Sequence, residues 1–257
     1  MLSYQHAYHA GNAADVHKHA LLAVALDYMV QKAKPLSYVE THAGRALYDL
    51  DGPEARKTCE AASGIGRAEA WFAPDHPYAR ALASARACAG SGAYPGSPLI
   101  ASTLLRPTDR ILLAERHPAE CAALRATLPK AQIFAEDGPA MARRLLPPDP
   151  RRGFLLIDPS YEVKDEFTAM PKLIAEIHRK WPVGVLMLWY PVLRSGAEEP
   201  MAAALDRLEI EGAVRHEIRF PPARPGHGMM GSGLYVVNPP WGWDAAAAEL
   251  AARFTSA

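Results

Sequence analysis

The chain has 257 residues, of which 49% are apolar and 22% charged, so it can bury one large core and is neither disordered nor fibrous. Its 28 basic and 28 acidic residues cancel, which excludes a chain-wide basic field for nucleic acid and leaves only a local basic face for such contact. Three scattered cysteines, Cys59, Cys88 and Cys121, form no CxxC pair, so neither a disulfide framework nor a zinc site is expected, and a reducing cytoplasm is the expected home.

The N-terminal MLSYQHAYHAG lacks a basic segment followed by an apolar one, so no secretory leader is expected, and no apolar run reaches the length of a membrane span. Asn12 or Asp15 can cap a helix to about residue 33, with Val16, Ala20, Ala23 and Val30 along one face. Residues 36–41 read as a first strand, followed by a His42-Ala43-Gly44 turn. Residues 51–94, rich in Ala, Gly, Arg and Glu, predict helices near 61–71 and 77–88 and no strand. Ser97 fits an N-cap and Pro98 the first helical position of a helix over 98–105. A regular βα rhythm follows, with strands at 110–115, 132–136, 154–157, 183–190, 214–220 and 233–237 and helices at 118–128, 167–181 and 201–211. The Pro/Gly-rich segment 221–233 reads as a long, mobile loop. Seven strands with alternating helices predict an α/β fold with an open, mostly parallel sheet. Residues 1–50 and 95–257 form the expected core, and 51–94 an inserted helical subdomain.

In open α/β sheets, ligands bind beyond the carboxyl ends of the strands. There the strands deliver Thr41-His42-Ala43-Gly44, then Glu115, then Asp137-Gly138, then Asp158-Pro159-Ser160-Tyr161. Glu115 can accept two ribose hydroxyls, and Asp137 can accept from an adenine amine. Gly44 lets the backbone approach a ligand, and Ser97 with the free N–H groups of the following helix can hold a carboxylate. Singly, these are ordinary loop residues. As an ordered set they fit the ribose, adenine and amino-acid tail of S-adenosylmethionine (SAM). A nicotinamide site is disfavoured, because Gly44-Arg45-Ala46 lacks the second glycine of the G-x-G-x-x-G fingerprint.

Asp158-Pro159-Ser160-Tyr161 ends the apolar run Phe154-Leu155-Leu156-Ile157. The Asp158 carboxylate and the Pro159 carbonyl can accept both hydrogens of an exocyclic amine, while Tyr161 stacks on the base. Two such acceptors favour the pyramidal nitrogen reached during attack. The chain therefore reads as a SAM-dependent amino methyltransferase acting on a nucleobase. Asn238-Pro239-Pro240-Trp241 matches the turn pattern more literally. It follows the last strand, however, and is read as a terminal turn whose Trp packs. The histidines His6, His9, His17, His19 and His42 invite a metal reading, but no carboxylate or cysteine was seen at ligand spacing. No metal is expected; instead Tyr4 and His6 are placed near the base, and Lys18 and His19 near the cofactor.

The stretches Tyr4-Gln5-His6, His9-Ala10-Gly11-Asn12-Ala13-Ala14-Asp15-Val16-His17-Lys18-His19, Thr41-His42-Ala43-Gly44, Tyr94-Pro95-Gly96-Ser97-Pro98-Leu99-Ile100-Ala101, Asp158-Pro159-x-Tyr161, Leu188-Trp189-Tyr190-Pro191 and Asn238-Pro239-Pro240-Trp241 together resemble the bacterial 23S rRNA adenine-N6 methyltransferase family RlmJ. The resemblance covers essentially the whole chain. It implies a Rossmann-like, SAM-dependent methyltransferase core with a small inserted helical subdomain, acting as a cytoplasmic monomer on one adenine of 23S rRNA. It also implies that His19, His42, Ser97, Glu115, Asp137, Gly138 and Asp158 contact SAM with Lys18 nearby, that Asp158 is catalytic, and that Tyr4 contacts the target adenosine. The N-terminal segment 1–34 would then contribute to the site. Two positions depart from the family pattern: Ser160 replaces a second proline, and Ala46 a second glycine. Ala46 is expected to tighten the approach to the cofactor. An adenine-N6 methyltransferase of DNA or another RNA, and a catalytically silent SAM- or RNA-binding module, remain the alternatives.

A base inside a stacked helix is out of reach, so the target must be single-stranded or flipped. Arg45, Lys57, Arg67, Arg80 and Arg86 around the insertion, and Arg194, Arg215, Arg219 and Arg224 late in the chain, are candidates for phosphate contact. The insertion and the 221–233 loop are expected to form the RNA-facing rim.

Overall fold

A computed structural model describes residues 5–223, 226 and 228–256. Tyr4 and Arg224 lie outside the described residues. The strands are β1 (Ser37–Glu40), β2 (Leu47–Asp49), β3 (Ala93–Pro95), β4 (Arg110–Ala114), β5 (Gln132–Phe134), β6 (Gly153–Ile157), β7 (Val185–Leu193), β8 (Val214–Arg219) and β9 (Met229–Val237). Seven of them form one sheet in the order β5-β4-β1-β6-β7-β9-β8. The pairs from β5 to β7 are parallel, and β9 runs antiparallel between β7 and β8. From β1 the chain moves outward to β4 and β5, then returns to β6 on the other side of β1. That reversal opens the crevice in which ligands of such sheets sit.

The helices are α1 (Ala13–Val30), α2 (Pro53–Thr58), α3 (Glu60–Ser63), α4 (Ile65–Ala68), α5 (Pro77–Ala89), α6 (Ser97–Leu104), α7 (Pro118–Thr127), α8 (Gly138–Leu145), α9 (Glu166–Lys180), α10 (Glu199–Asp206) and α11 (Trp243–Ser256). Strand residues alternate between two cores, as a period of two requires. Phe154 and Leu156 of β6 pack with α1, α5, α6 and α11, whereas Leu155 and Ile157 pack with α8, α9 and α10. Both faces are covered, which explains why β6 is apolar throughout. No helix among the described residues is long and apolar enough to cross a membrane.

Helix α1 is buried nearly all round, between the sheet and the helices α5, α6 and α11. Its apolar stripe is wider than the four positions read from the sequence, since Leu21, Leu22 and Leu26 are also fully buried. Each such leucine contributes about 1.5–3 kcal/mol on burial. The first turns hold Asp15, His17, Lys18 and His19, all buried. These polar residues interrupt the hydrophobic period that a sequence reading relies on.

Several expectations are corrected. Segment 51–94 is mainly helical, but its last residues enter β3, which pairs antiparallel with β2 to form a small ribbon. The three-residue strand is too short to stand out by periodicity. Ser97 is not a cap: Gly96 caps α6, and Ser97 is the first helical residue. Strand β9 begins at Met229, so the loop after β8 is shorter than 221–233. Residues 243–256 form α11, which the alanine-rich tail had concealed. Trp241 does not pack in the core; it is 81% exposed, and Trp243 is the buried tryptophan. Asn238 has a structural task there, its Nδ2 donating to the carbonyls of Pro182 and Gly184.

Candidate functional site

A cavity of about 400 Å³ opens at the carboxyl ends of β1, β4, β5 and β6 and is closed on one side by the start of α1. It brings together every described residue that the sequence assigned to the cofactor, the acceptor turn or the target base: His6, Lys18, His19, His42, Gly44, Ser97, Glu115, Asp137, Gly138, Asp158, Pro159 and Tyr161.

Its polar floor centres on Lys18. The Lys18 Nζ donates to Asp158 Oδ2 at 2.6 Å and lies 3.2 Å from Asp15 Oδ1. Burial opposes its charge, but Asp158 and Asp15 outweigh that and hold the ammonium above its ordinary pKa. The same ammonium lies 5.4 Å from the centre of the Trp189 ring, which also lines the cavity. Asp158 is thus fixed through one oxygen. No hydrogen bond engages its Oδ1 among the described residues.

Asp15 is the hub that the sequence reading passed over. It accepts from His6 Nε2 and from the Gly11 N–H, both at 2.9 Å. Burial alone would raise its pKa, but His6, Lys18 and His19 together hold it well below the usual carboxylate range. Its own N–H is capped by Asn12 Oδ1 at 2.9 Å, which ties the N-terminal segment to the helix start. The signal was present in the sequence: Asn12, Asp15, Lys18 and His19 share one side of a helix at i, i+3, i+4 spacing. Glu60 is a second missed carboxylate, bound to His9 Nδ1 at 3.0 Å and to Asn12 Nδ2 at 3.2 Å.

His19 is buried, with Nδ1 2.9 Å from the Tyr94 hydroxyl. Burial pulls its pKa down to about 3, so the imidazole is neutral. Burial also lowers His42, whose Nδ1 meets Thr41 Oγ1 at 2.8 Å. Glu40, at the end of β1, was not singled out either. It accepts from Ser97 Oγ at 2.5 Å and Tyr38 hydroxyl at 2.7 Å, and burial pushes its pKa up to about 8 despite those bonds. Ser97 therefore serves Glu40 while lining the cavity at the start of α6.

At the other end, Glu115 Oε2 accepts from the Gly44 N–H at 2.8 Å and Oε1 from the His117 N–H at 2.6 Å. Burial nonetheless raises its pKa. Asp137 caps α8 by accepting from the Ala140 N–H at 2.9 Å. Two glycines are dictated by space. Gly44 has φ +62, and a Cβ there would collide with the Tyr48 hydroxyl. A Cβ on Gly138 would collide with the Thr41 carbonyl, so only glycine lets α8 start against the tip of β1. Arg45 holds this corner by a bidentate pair with buried Glu120, at 2.8 and 2.6 Å.

Ala46 does not tighten the cavity as expected. Its side chain is fully buried in the core, outside the cavity lining, and what it bears is a left-handed backbone with φ 69. Tyr161 also has positive φ, at 55. Its ring stacks on Phe167 with centroids 4.5 Å apart, its hydroxyl donates to the Trp189 carbonyl at 2.9 Å, and only 9% of it is exposed. One ring face is therefore already covered.

The cavity suits a ligand with polar edges. His117 Nδ1 and Glu166 Oε2 are buried without a partner among the described residues, and both residues line it. Of the arginines picked out for phosphate, Arg45 pairs with Glu120, Arg80 with Asp27, Arg86 with Glu69, and Arg215 with Asp206 and Glu217. Lys57, Arg67, Arg194 and Arg219 stand in no ion pair among the described residues.

A family model described as "Ribosomal RNA large subunit methyltransferase D, RlmJ" matches residues 33–256. The protein named ribosomal RNA large subunit methyltransferase J from Escherichia coli (strain K12) is 37% identical over 249 residues, covering 94% of this chain and 88% of that protein. Its namesake from Haemophilus influenzae (strain ATCC 51907 / DSM 11121 / KW20 / Rd) is 37% identical over 250 residues, with the same coverage. The crystal structure of protein LPL1258 from Legionella pneumophila superimposes with a TM-score of 0.84 at 33% identity, covering 96% of this chain and 93% of that one.

Proposed function

This chain belongs to the RlmJ family of ribosomal RNA large subunit methyltransferases, and on that premise we propose that it methylates the N6 amine of one adenine in 23S rRNA with SAM as donor. The observation that carries the reading is the Lys18-fixed Asp158 at the end of β6, in one cavity with Glu115 and Asp137.

An adenine amine is a poor nucleophile because its lone pair is delocalised into the ring. Asp158 Oδ1 and the Pro159 carbonyl would accept its two hydrogens and favour the pyramidal nitrogen of the transition state. Lys18 prevents the carboxylate from rotating away. SAM, when bound, supplies an electrophilic methyl group on a sulfonium. Methyl transfer to the nitrogen would leave it an extra, strongly acidic proton, which the Asp158 carboxylate could take. Glu115 would hold the ribose hydroxyls and Asp137 the cofactor's adenine amine. Lys18, His19, His42, Gly44, Ser97 and Gly138 would complete that pocket. Tyr161, Trp189, Tyr4 and His6 would hold the target base, which must be flipped or unpaired. The protein would act as a cytoplasmic monomer, with the helical segment 51–94 as an inserted subdomain on the RNA side.

The test is transfer of labelled methyl from SAM to protein-free large-subunit rRNA and to DNA. Label recovered as N6-methyladenine at one rRNA position supports the reading. Transfer to DNA alone, or to neither despite SAM binding, overturns it.

A further inference from the structure

A second cavity of about 150 Å³ adjoins the first, and Asn12 and Met229 line both. Three aromatic rings stand in its other walls. Trp71 follows α4, Phe220 follows β8, and Phe254 belongs to α11. Trp71 and Phe254 meet edge to face with centroids 5.0 Å apart, and Phe220 lies 6.2 Å from Phe254. All three are only partly buried, which leaves ring surface for an occupant. Arg67 also lines the cavity, is exposed, and stands in no ion pair among the described residues.

The size of this space suits a single flat ring, since a cavity of about 150 Å³ takes up benzene. A sugar and its phosphate would stay outside, where Arg67 stands. One wall is polar: the Asn12 Nδ2 donates to Glu60 Oε2 at 3.2 Å, while Asn12 Oδ1 is committed to the Asp15 N–H. An apolar side chain from a partner would leave the second Asn12 amide hydrogen facing hydrocarbon, whereas the edge of a base can accept it. Flipping an adenine also strips its neighbour of a stacking partner, and aromatic side chains replace that stack. Resting on the reading above, we propose that this cavity binds the base adjoining the methylated adenine in the same RNA strand, with Arg67 on the intervening phosphate. Asn12 is then the shared wall between the two bases. It also links this cavity to the catalytic floor through Asp15.

Stacking one base on protein aromatics changes affinity by roughly five- to a hundredfold. The test begins by mapping the adenine that the wild type methylates in protein-free rRNA. A short RNA spanning it is then made with an abasic nucleotide on either side of the target. One abasic neighbour should raise the wild-type KM for RNA about tenfold. Phe220→Ala should show a similar rise with the intact RNA and almost no further rise with the abasic one. Arg67→Gln should raise KM as well, and its exposed position spares the fold. Calorimetric SAM affinity, unchanged in both variants, separates this from misfolding. Equal penalties from the abasic nucleotide in wild type and Phe220→Ala, or none in either, would overturn the proposal. Failure of the wild type to methylate any RNA would instead overturn the reading on which it rests.

Discussion

Replacing Lys18 by methionine removes the only cation that lies within 4 Å of Asp158 among the described residues. The side chain of Lys18 is 5% exposed, that of Asp15 2% and that of Asp158 14%, so water cannot take over its role. Removing one partner of a buried pair costs roughly 3–5 kcal/mol, because the remaining charge is stranded. Methionine preserves the volume, so a cavity adds little. For a chain of this size each kcal/mol lowers Tm by roughly 2–4 °C, which gives a fall of roughly 6–20 °C. The acid limb provides a check on the cause. Asp15 has a depressed pKa, so its contribution is present above the ordinary value of 3.8 and lost as pH falls through the folded value. Once Asp15 is protonated, it strands no charge in the variant. The gap between wild type and Lys18→Met should therefore narrow as pH falls from 3.8 toward the folded value of Asp15, and adding Asp158→Asn to Lys18→Met should recover part of the loss at neutral pH. Thermal unfolding followed by circular dichroism measures all three. A fall under about 3 °C at pH 7, or a gap that does not vary with pH, would refute the argument.

Glu40 sets a second pH dependence. Its pKa rises from 4.5 to about 8 on folding, so folding takes up a proton, and the stability involved is present below 4.5 and lost as pH rises to about 8. His19 acts in the opposite sense, its contribution being present above 6.5 and lost as pH falls toward about 3. The two slopes oppose each other between 4.5 and 6.5, and only that of Glu40 remains from 6.5 to 8. Glu40→Gln should abolish a decline of up to about 1.4 kcal/mol per pH unit in that window. Parallel denaturation curves for variant and wild type would remove Glu40 from the account. Glu115→Ala should weaken SAM binding by roughly 1–3 kcal/mol, the range for polar groups left unpaired. Calorimetry giving an unchanged Kd would exclude Glu115 from the ribose site.

The sheet was legible because β6 and β7 are apolar runs and because strand-end acids recur in chain order. The cavity followed from the same reading, since a parallel sheet delivers all strand ends to one edge. The polar floor was harder to see. Glu40 and Glu60 bond to residues far apart in the chain, Glu40 to Ser97 and Glu60 to His9, and no local spacing records that, whereas the spacing of Asp15 to Asn12, Lys18 and His19 was there to be read. Ser97 was misread as a cap because its partner is the Glu40 carboxylate and not a backbone N–H. The arginines looked alike in sequence, yet Arg45, Arg80, Arg86 and Arg215 are neutralised by acids that the fold brings near, while Arg67, Arg194 and Arg219 meet no such acid among the described residues. Helix α11 was missed because its alanines carry little amphipathic pattern, although Trp243, Ala247 and Leu250 anchor it at i, i+4, i+7.

The measurement that bears most directly on the central claim is single-turnover methyl transfer to protein-free rRNA by wild type and Asp158→Ala. Lys18 keeps Asp15 as a partner in that variant, so the fold should persist by circular dichroism. The rate should fall by at least about 100-fold, the loss seen when a transition-state acceptor or donor is removed. A folded Asp158→Ala protein that still methylates rRNA at near the wild-type rate would show that this carboxylate does not hold the reacting amine.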